Sequence, residues 1–168
     1  MLIAMRKVAD GLIALSATVG SLGLIFEVVI ILADVIGRAF GAPIYGSQDI
    51  ITMSMVMVVF GAMALCDRQG GHIAVDLFER SYPALMNRVI DILAALLGAV
   101  IFMGIAYAIN ESAKLSVMLN LSTNLLRLPK AWFQNGLSVF ALITAAGMAL
   151  RAIELILSGR DIRKGEAA

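Results

Sequence analysis

Apolar residues fall in four long blocks, at 11–33, 50–66, 92–110 and 131–150, and charged residues collect between and beyond them. A helix rises about 1.5 Å per residue and a bilayer core is about 30 Å thick, so roughly 17–25 residues make one crossing. With flanking residues included, the pattern predicts spans over about 11–33, 49–66, 88–112 and 131–156, in a single four-helix domain covering 1–168. The first block is too long, and too weakly marked by a small-residue cleavage site, for a removable signal peptide; it is expected to be a retained helix. Pro43, Pro83 and Pro129 each stand in a connection shortly before a block begins. A proline there removes no intrahelical hydrogen bond, so the spans are expected to be unbroken, unlike the interrupted helices that build transporter binding sites. Between the second and third blocks, His72 to Tyr82 puts Ile73, Leu77 and Phe78 on one side and Asp76, Glu79 and Arg80 mostly on the other. That pattern predicts a short amphipathic helix lying on the inner leaflet, entered through a turn at Gly70 and Gly71. The expected fold is an all-α integral membrane protein of four transmembrane helices plus this interfacial helix.

Composition supports the reading. The chain is 61% hydrophobic and only 15% charged, against about 25% charged in ordinary soluble domains, so polar side chains could not cover its surface. The net charge of +1 gives no pull toward polyanions, and no nucleic-acid partner is expected. Cys66 is the only cysteine and His72 the only histidine, which excludes an internal disulfide, a bis-histidine haem and a multi-histidine metal cage. No cofactor is expected in this chain. Basic residues set the orientation. Arg6, Lys7, Arg68, Arg80, Arg88, Arg151, Arg160, Arg163 and Lys164 would share one side, and only Arg38, Lys114, Arg127 and Lys130 the other. The positive-inside rule puts both termini in the cytoplasm.

Charged and small residues inside the apolar blocks are the candidate functional positions. Glu27 lies in the outer part of the first span, where a carboxylate costs about 2.5–3.5 kcal/mol on insertion scales and calls for a partner. Either it binds a proton or cation, or it fastens its helix to another protein helix. Ser16, Gly20, Gly23, Glu27 and Asp34 form one stripe, where small residues admit a second backbone. Asp34 and Arg38, four apart, can pair at the outer helix end. Gly136, Phe140, Ile143, Gly147, Arg151 and Glu154 form a similar face in the fourth span, and Asp91, Gly98 and Ile105 share a heptad line in the third. Both read as packing seams, and a small-residue seam beside a charged end would also suit a phospholipid headgroup. Met53, Met55, Met57 and Met63 read as adaptable packing residues. Trp132, Tyr45 and Tyr82 stand at interface levels, with Lys130 able to snorkel to the headgroups.

The connecting sequences are similar to those of the small membrane subunit of tripartite ATP-independent periplasmic (TRAP) transporters. The resemblance rests on D-V-I-G-R at Asp34 to Arg38, P-I-Y-G-S-Q-D at Pro43 to Asp49, Phe60 with Gly61, R-Q-G-G-H-I-A-V-D-L at Arg68 to Leu77, and L-R-L-P-K-A-W at Leu126 to Trp132. Family-motif positions so marked are Arg38, Asp49, Gly61, Arg68, Gly71, His72, Asp76, Pro129 and Trp132. The chain departs from the family in opening its second helix with Asp49, where glutamate is common, and in carrying Ala74 where a basic residue is frequent. The resemblance implies a bacterial-type inner-membrane scaffold subunit that catalyses nothing. A large membrane subunit would move an organic acid with sodium ions, and a soluble periplasmic protein would capture the acid. Substrate and sodium sites would belong to the large subunit. Ser16, Gly20, Gly23, Glu27, Asp34, Gly136 and Gly147 become candidates for the subunit interface, with membrane lipid at the seam. Arg38, Lys114, Arg127 and Lys130 become candidates for docking the binding protein, and His72 and Asp76 for fixing the inner turn.

A different class of function is an independent proton-coupled exporter resembling the small multidrug transporters, which also have four helices and a glutamate in the first. Their connections are very short, whereas here 67–83 and 110–130 are long and carry the motifs. No nucleophile, base and orienting group stand together as an enzyme would need.

Overall fold

The computed structural model describes residues 2–69 and 83–158. They form four helices: α1 (Leu2–Ala39), α2 (Ser47–Arg68), α3 (Ala84–Met118) and α4 (Lys130–Ser158). All four are long and apolar enough to cross a membrane. The 22 residues of α2 span about 33 Å, one bilayer core, whereas the 38 of α1 reach about 57 Å. The long helices therefore extend beyond the apolar blocks at both ends. The expected interfacial helix, with Gly71, His72, Asp76 and Tyr82, lies outside the described residues.

Helices α1 and α2 make one antiparallel pair, α3 and α4 another, and the pairs join mainly through α2 and α4. Small side chains make both joints close. In α3 and α4 the buried positions are dominated by alanine, among them Ala95, Ala106, Ala113, Ala131, Ala141, Ala145 and Ala152. Phe102 packs with Ala106, Ala141 and Ala145, and Met63 and Met148 fill in around them. With little hydrophobic drive between helices in lipid, such close packing and interhelical hydrogen bonds hold the pair. Ser138 Oγ donates to the Ala106 carbonyl at 3.1 Å, and Gln134 Nε2 to Ser112 Oγ at 3.0 Å. At the far end the Arg88 guanidinium caps α4, donating to the carbonyls of Leu155 at 2.8 Å and Ile156 at 3.1 Å.

The prolines sit as the pattern predicts. Pro83 and Pro129 immediately precede α3 and α4, and Pro43 lies in the α1–α2 connection. Each helix is α-helical throughout its bounds. The connection from α3 to α4 closes on itself: the Thr123 N–H donates to Leu128 O at 3.0 Å, the Lys130 N–H to Leu121 O at 3.2 Å, and Ser122 and Pro129 form a single antiparallel bridge.

Candidate functional site

At the end of the bundle away from the termini, two carboxylates fasten the connections. Asp34 is buried, and its Oδ2 accepts from Arg38 Nη2 at 2.8 Å and Nε at 2.9 Å, which realises the expected pair. Its Oδ1 accepts the Ile44 N–H at 3.0 Å, with Ser47 alongside. One side chain thus folds the α1–α2 connection back on its helix. Asp49, also buried, uses a single oxygen, Oδ2, to accept the N–H groups of Leu125 at 2.7 Å and Leu126 at 2.8 Å. It ties the start of α2 to the loop between α3 and α4, and Tyr45 Oη adds a bond to the Leu125 carbonyl at 3.3 Å. Gly46 makes this approach possible. Its φ is +79°, and a Cβ there would stand 2.4 Å from Leu126 Cγ. Arg127, in the same loop, has a φ of +52°. The sequence suggests acids at these places but not their partners, because Asp49 reaches across 76 residues to backbone groups that no pattern marks.

In the membrane, the small-residue stripe of α1 meets α2 of the same chain. A Cβ on Gly20 would lie 3.1 Å from Ala62 N, and one on Gly61 would lie 3.0 Å from Ser16 O. Gly23 faces Val58, Gly136 faces Met57 and Gly147 faces Ile13. Ser16 is buried and bonds the Ile13 carbonyl at 2.9 Å. The surfaces offered by Ser16, Gly20, Gly136 and Gly147 are therefore occupied within the bundle, since small residues draw together the nearest backbone, and a hairpin supplies its own. Glu27 is 8% exposed, and its Oε2 has no hydrogen-bond partner among the described residues.

At the opposite end α1, α2 and α4 enclose a cavity of about 60 Å³ ringed by Arg6, Asp10, Asp67, Arg68, Arg151 and Glu154. Arg68 Nη2 lies 3.3 Å from Asp10 Oδ2, and Arg6 Nε lies 4.0 Å from Glu154 Oε1. Sequence reasoning misses this cluster. The available signal is charge at the first turns of one span and the last turns of two others, which the arrangement of the helices brings together.

The basic residues at the end away from the termini are unequal. Lys114 Nζ is held by Glu111 Oε1 at 2.6 Å and the Arg38 guanidinium by Asp34. Arg127, by contrast, is exposed. Trp132 is 76% exposed at the start of α4, as an interface anchor would be.

A family model described as tripartite ATP-independent periplasmic transporters, DctQ component, matches residues 27–160. The match covers most of the chain. The chain belongs to this family. No curated protein and no solved structure matches it. As a DctQ component the chain is a multi-pass membrane protein and the small part of a tripartite transporter, a complex with further components. The DctQ match includes Asp34, Arg38, Asp49 and Gly61 and begins at Glu27, so Arg6, Asp10 and the N-terminal part of α1 lie before it.

Proposed function

We propose that this DctQ chain is a non-catalytic scaffold subunit of the inner membrane, with both termini in the cytoplasm. It packs beside the large transport subunit and helps dock the periplasmic binding protein during sodium-driven uptake of an organic acid. Substrate and sodium sites, on this reading, belong to the large subunit, and this chain carries no cofactor. The observation that carries the proposal is the use made of polar groups: Asp34 and Asp49 fasten the chain's own connections, Ser138 joins α4 to α3, Arg88 caps the end of α4, and all four helices run unbroken. A substrate path would instead call for interrupted helices and polar groups at the midplane. Against the large subunit the bundle offers the open apolar face of α1, including Leu22, Ile25, Phe26 and Val29, bordered by Gly23 and Glu27. Toward the binding protein it offers Arg127 and Lys130, together with the exposed side of Arg38.

Gentle detergent extraction from the native host tests the proposal. A much larger polytopic membrane protein should co-purify in one-to-one ratio, and a cysteine at Ile25 should cross-link to it. Isolation alone, as a homodimer that moves cations into proton-loaded liposomes, would overturn the proposal and make Glu27 the coupling site.

A further inference from the structure

Among the described residues, two other than glycine have a positive φ, and both lie in the connection from α3 to α4: Asn120 at +50° and Arg127 at +52°. The left-handed region crowds any Cβ, and asparagine is among the few residues that enter it readily, because its short amide bonds locally. Arginine has no such relief, and its backbone neighbours hold it there. Asp49 Oδ2 accepts the Leu125 and Leu126 N–H groups at 2.7 and 2.8 Å. On the other side, the Leu128 N–H donates to Thr123 Oγ1 at 3.0 Å, and the Leu128 carbonyl accepts from the Thr123 N–H at 3.0 Å. Asp49 and Thr123 are both buried. Glycine at 127 would take the same turn without strain, so the turn itself does not call for an arginine.

Contacts within the chain do not call for it either. Arg127 is exposed and makes no hydrogen bond or ion pair among the described residues. Carboxylates at this end are already engaged: Asp34 with Arg38, Glu111 with Lys114, and Asp49 with the loop backbone. Two residues before Arg127, Leu125 is exposed, and so is Tyr45, whose Oη bonds the Leu125 carbonyl. Arginine and tyrosine are among the residue types that carry most of the binding energy at protein interfaces. A loop already held in one shape presents them with little ordering cost on binding.

We propose that Arg127 is the anchor for the soluble binding protein, pairing its guanidinium with a surface carboxylate of that protein while Tyr45 and Leu125 meet apolar groups beside it. The inference rests on the docking reading above and deepens it, by naming the residue that carries the contact and the group it meets. A guanidinium is a planar fork that takes a carboxylate through two parallel bonds, so its placement decides the strength of the pair. A fixed backbone supplies that placement. Snorkelling to lipid headgroups needs no such backbone, since long basic side chains reach a fluid layer from many positions. Strain held beneath a projecting arginine therefore favours a partner of fixed shape.

The assembled membrane subunits, immobilised in nanodiscs, can be titrated with the transporter's own binding protein by biolayer interferometry. Arg127→Gly should weaken binding at least tenfold, mainly through faster dissociation, and Arg127→Asn, which also tolerates positive φ, should lose as much. Arg127→Lys should recover only part of the loss, because an ammonium lacks the fork. Asn120→Gly, at the other positive φ of the same loop, should leave binding unchanged. The thermal midpoint of the purified chain should not fall with Arg127→Gly, which separates docking from a structural role. Full affinity for Arg127→Gly, or a lower midpoint with it, would overturn the proposal. So would reduced lipid retention in native mass spectrometry with unchanged affinity for the binding protein, which would assign the guanidinium to a headgroup. Where Arg38→Gln or Lys130→Gln weakens binding and Arg127→Gly does not, docking stands and this inference alone fails. Where none of the three weakens it, the docking reading falls as well.

Discussion

Asp49 and Glu27 are both buried carboxylates in an apolar chain, yet their surroundings are opposite. Asp49 serves two backbone N–H groups through one oxygen. Asp49→Asn keeps an oxygen able to accept both, whereas Asp49→Ala leaves the Leu125 and Leu126 amides without their acceptor. Thermal unfolding of the purified chain should show a midpoint several degrees lower for the alanine variant, and most of that loss recovered with asparagine. At Glu27 the missing partner reverses the expectation. A buried oxygen without a donor costs about 1–3 kcal/mol, so Glu27→Leu should stabilise the isolated chain by about that amount in denaturant titration. Glu27→Gln should leave uptake by the assembled transporter intact, because a scaffold needs at most a hydrogen bond there. Loss of uptake with glutamine at this position would mean that the carboxyl group itself takes part in transport.

At the scale of helices, the pairing of α1 with α2 depends on Gly20 and Gly61, whose backbones meet with no room for a side chain. A larger residue at Gly61 must push the helices apart. Overpacking of this kind costs about 1–3 kcal/mol, and Gly61→Leu is expected to lose that much in reversible unfolding. Gly104 on α3, where a Cβ would meet nothing within 4 Å, is the control: Gly104→Leu should have almost no effect. The same contrast marks the limit of a linear pattern. Hydropathy and the placement of three prolines are enough to read four unbroken helices, because lipid demands that each span satisfy its own backbone. The i,i+4 spacing is likewise enough for Asp34 and Arg38. Which glycine meets which helix depends on how the spans are arranged, and nothing in a one-dimensional pattern separates a seam facing the same chain from one facing another. The partners of Asp49 are hidden for a related reason, since backbone amides carry no residue identity.

The described residues form two antiparallel pairs, fastened to each other at one end by Asp49 and Tyr45, while at the other end Arg68 pairs with Asp10 between α2 and α1 and Arg6 stands 4.0 Å from Glu154 between α1 and α4. These two ends differ in the charge they expose to water, and that difference decides how the bundle sits. By sequence position nine of the chain's basic residues fall near the termini or around the 67–83 connection and four in or beside the other two connections, so insertion should leave the termini in the cytoplasm. Helix α2 brackets the bilayer, which makes exposed Gln69, just past its end, and exposed Asn120, just past α3, reporters of opposite surfaces. With Cys66 first replaced by alanine, a single cysteine at Asn120 should react with a membrane-impermeant maleimide in right-side-out vesicles. A single cysteine at Gln69 should react only in inverted ones. The reverse pattern would put Arg127 and Lys130 in the cytoplasm, out of reach of any periplasmic protein. The docking role proposed for them would then fail, even though the four-helix bundle and its place in the family would stand.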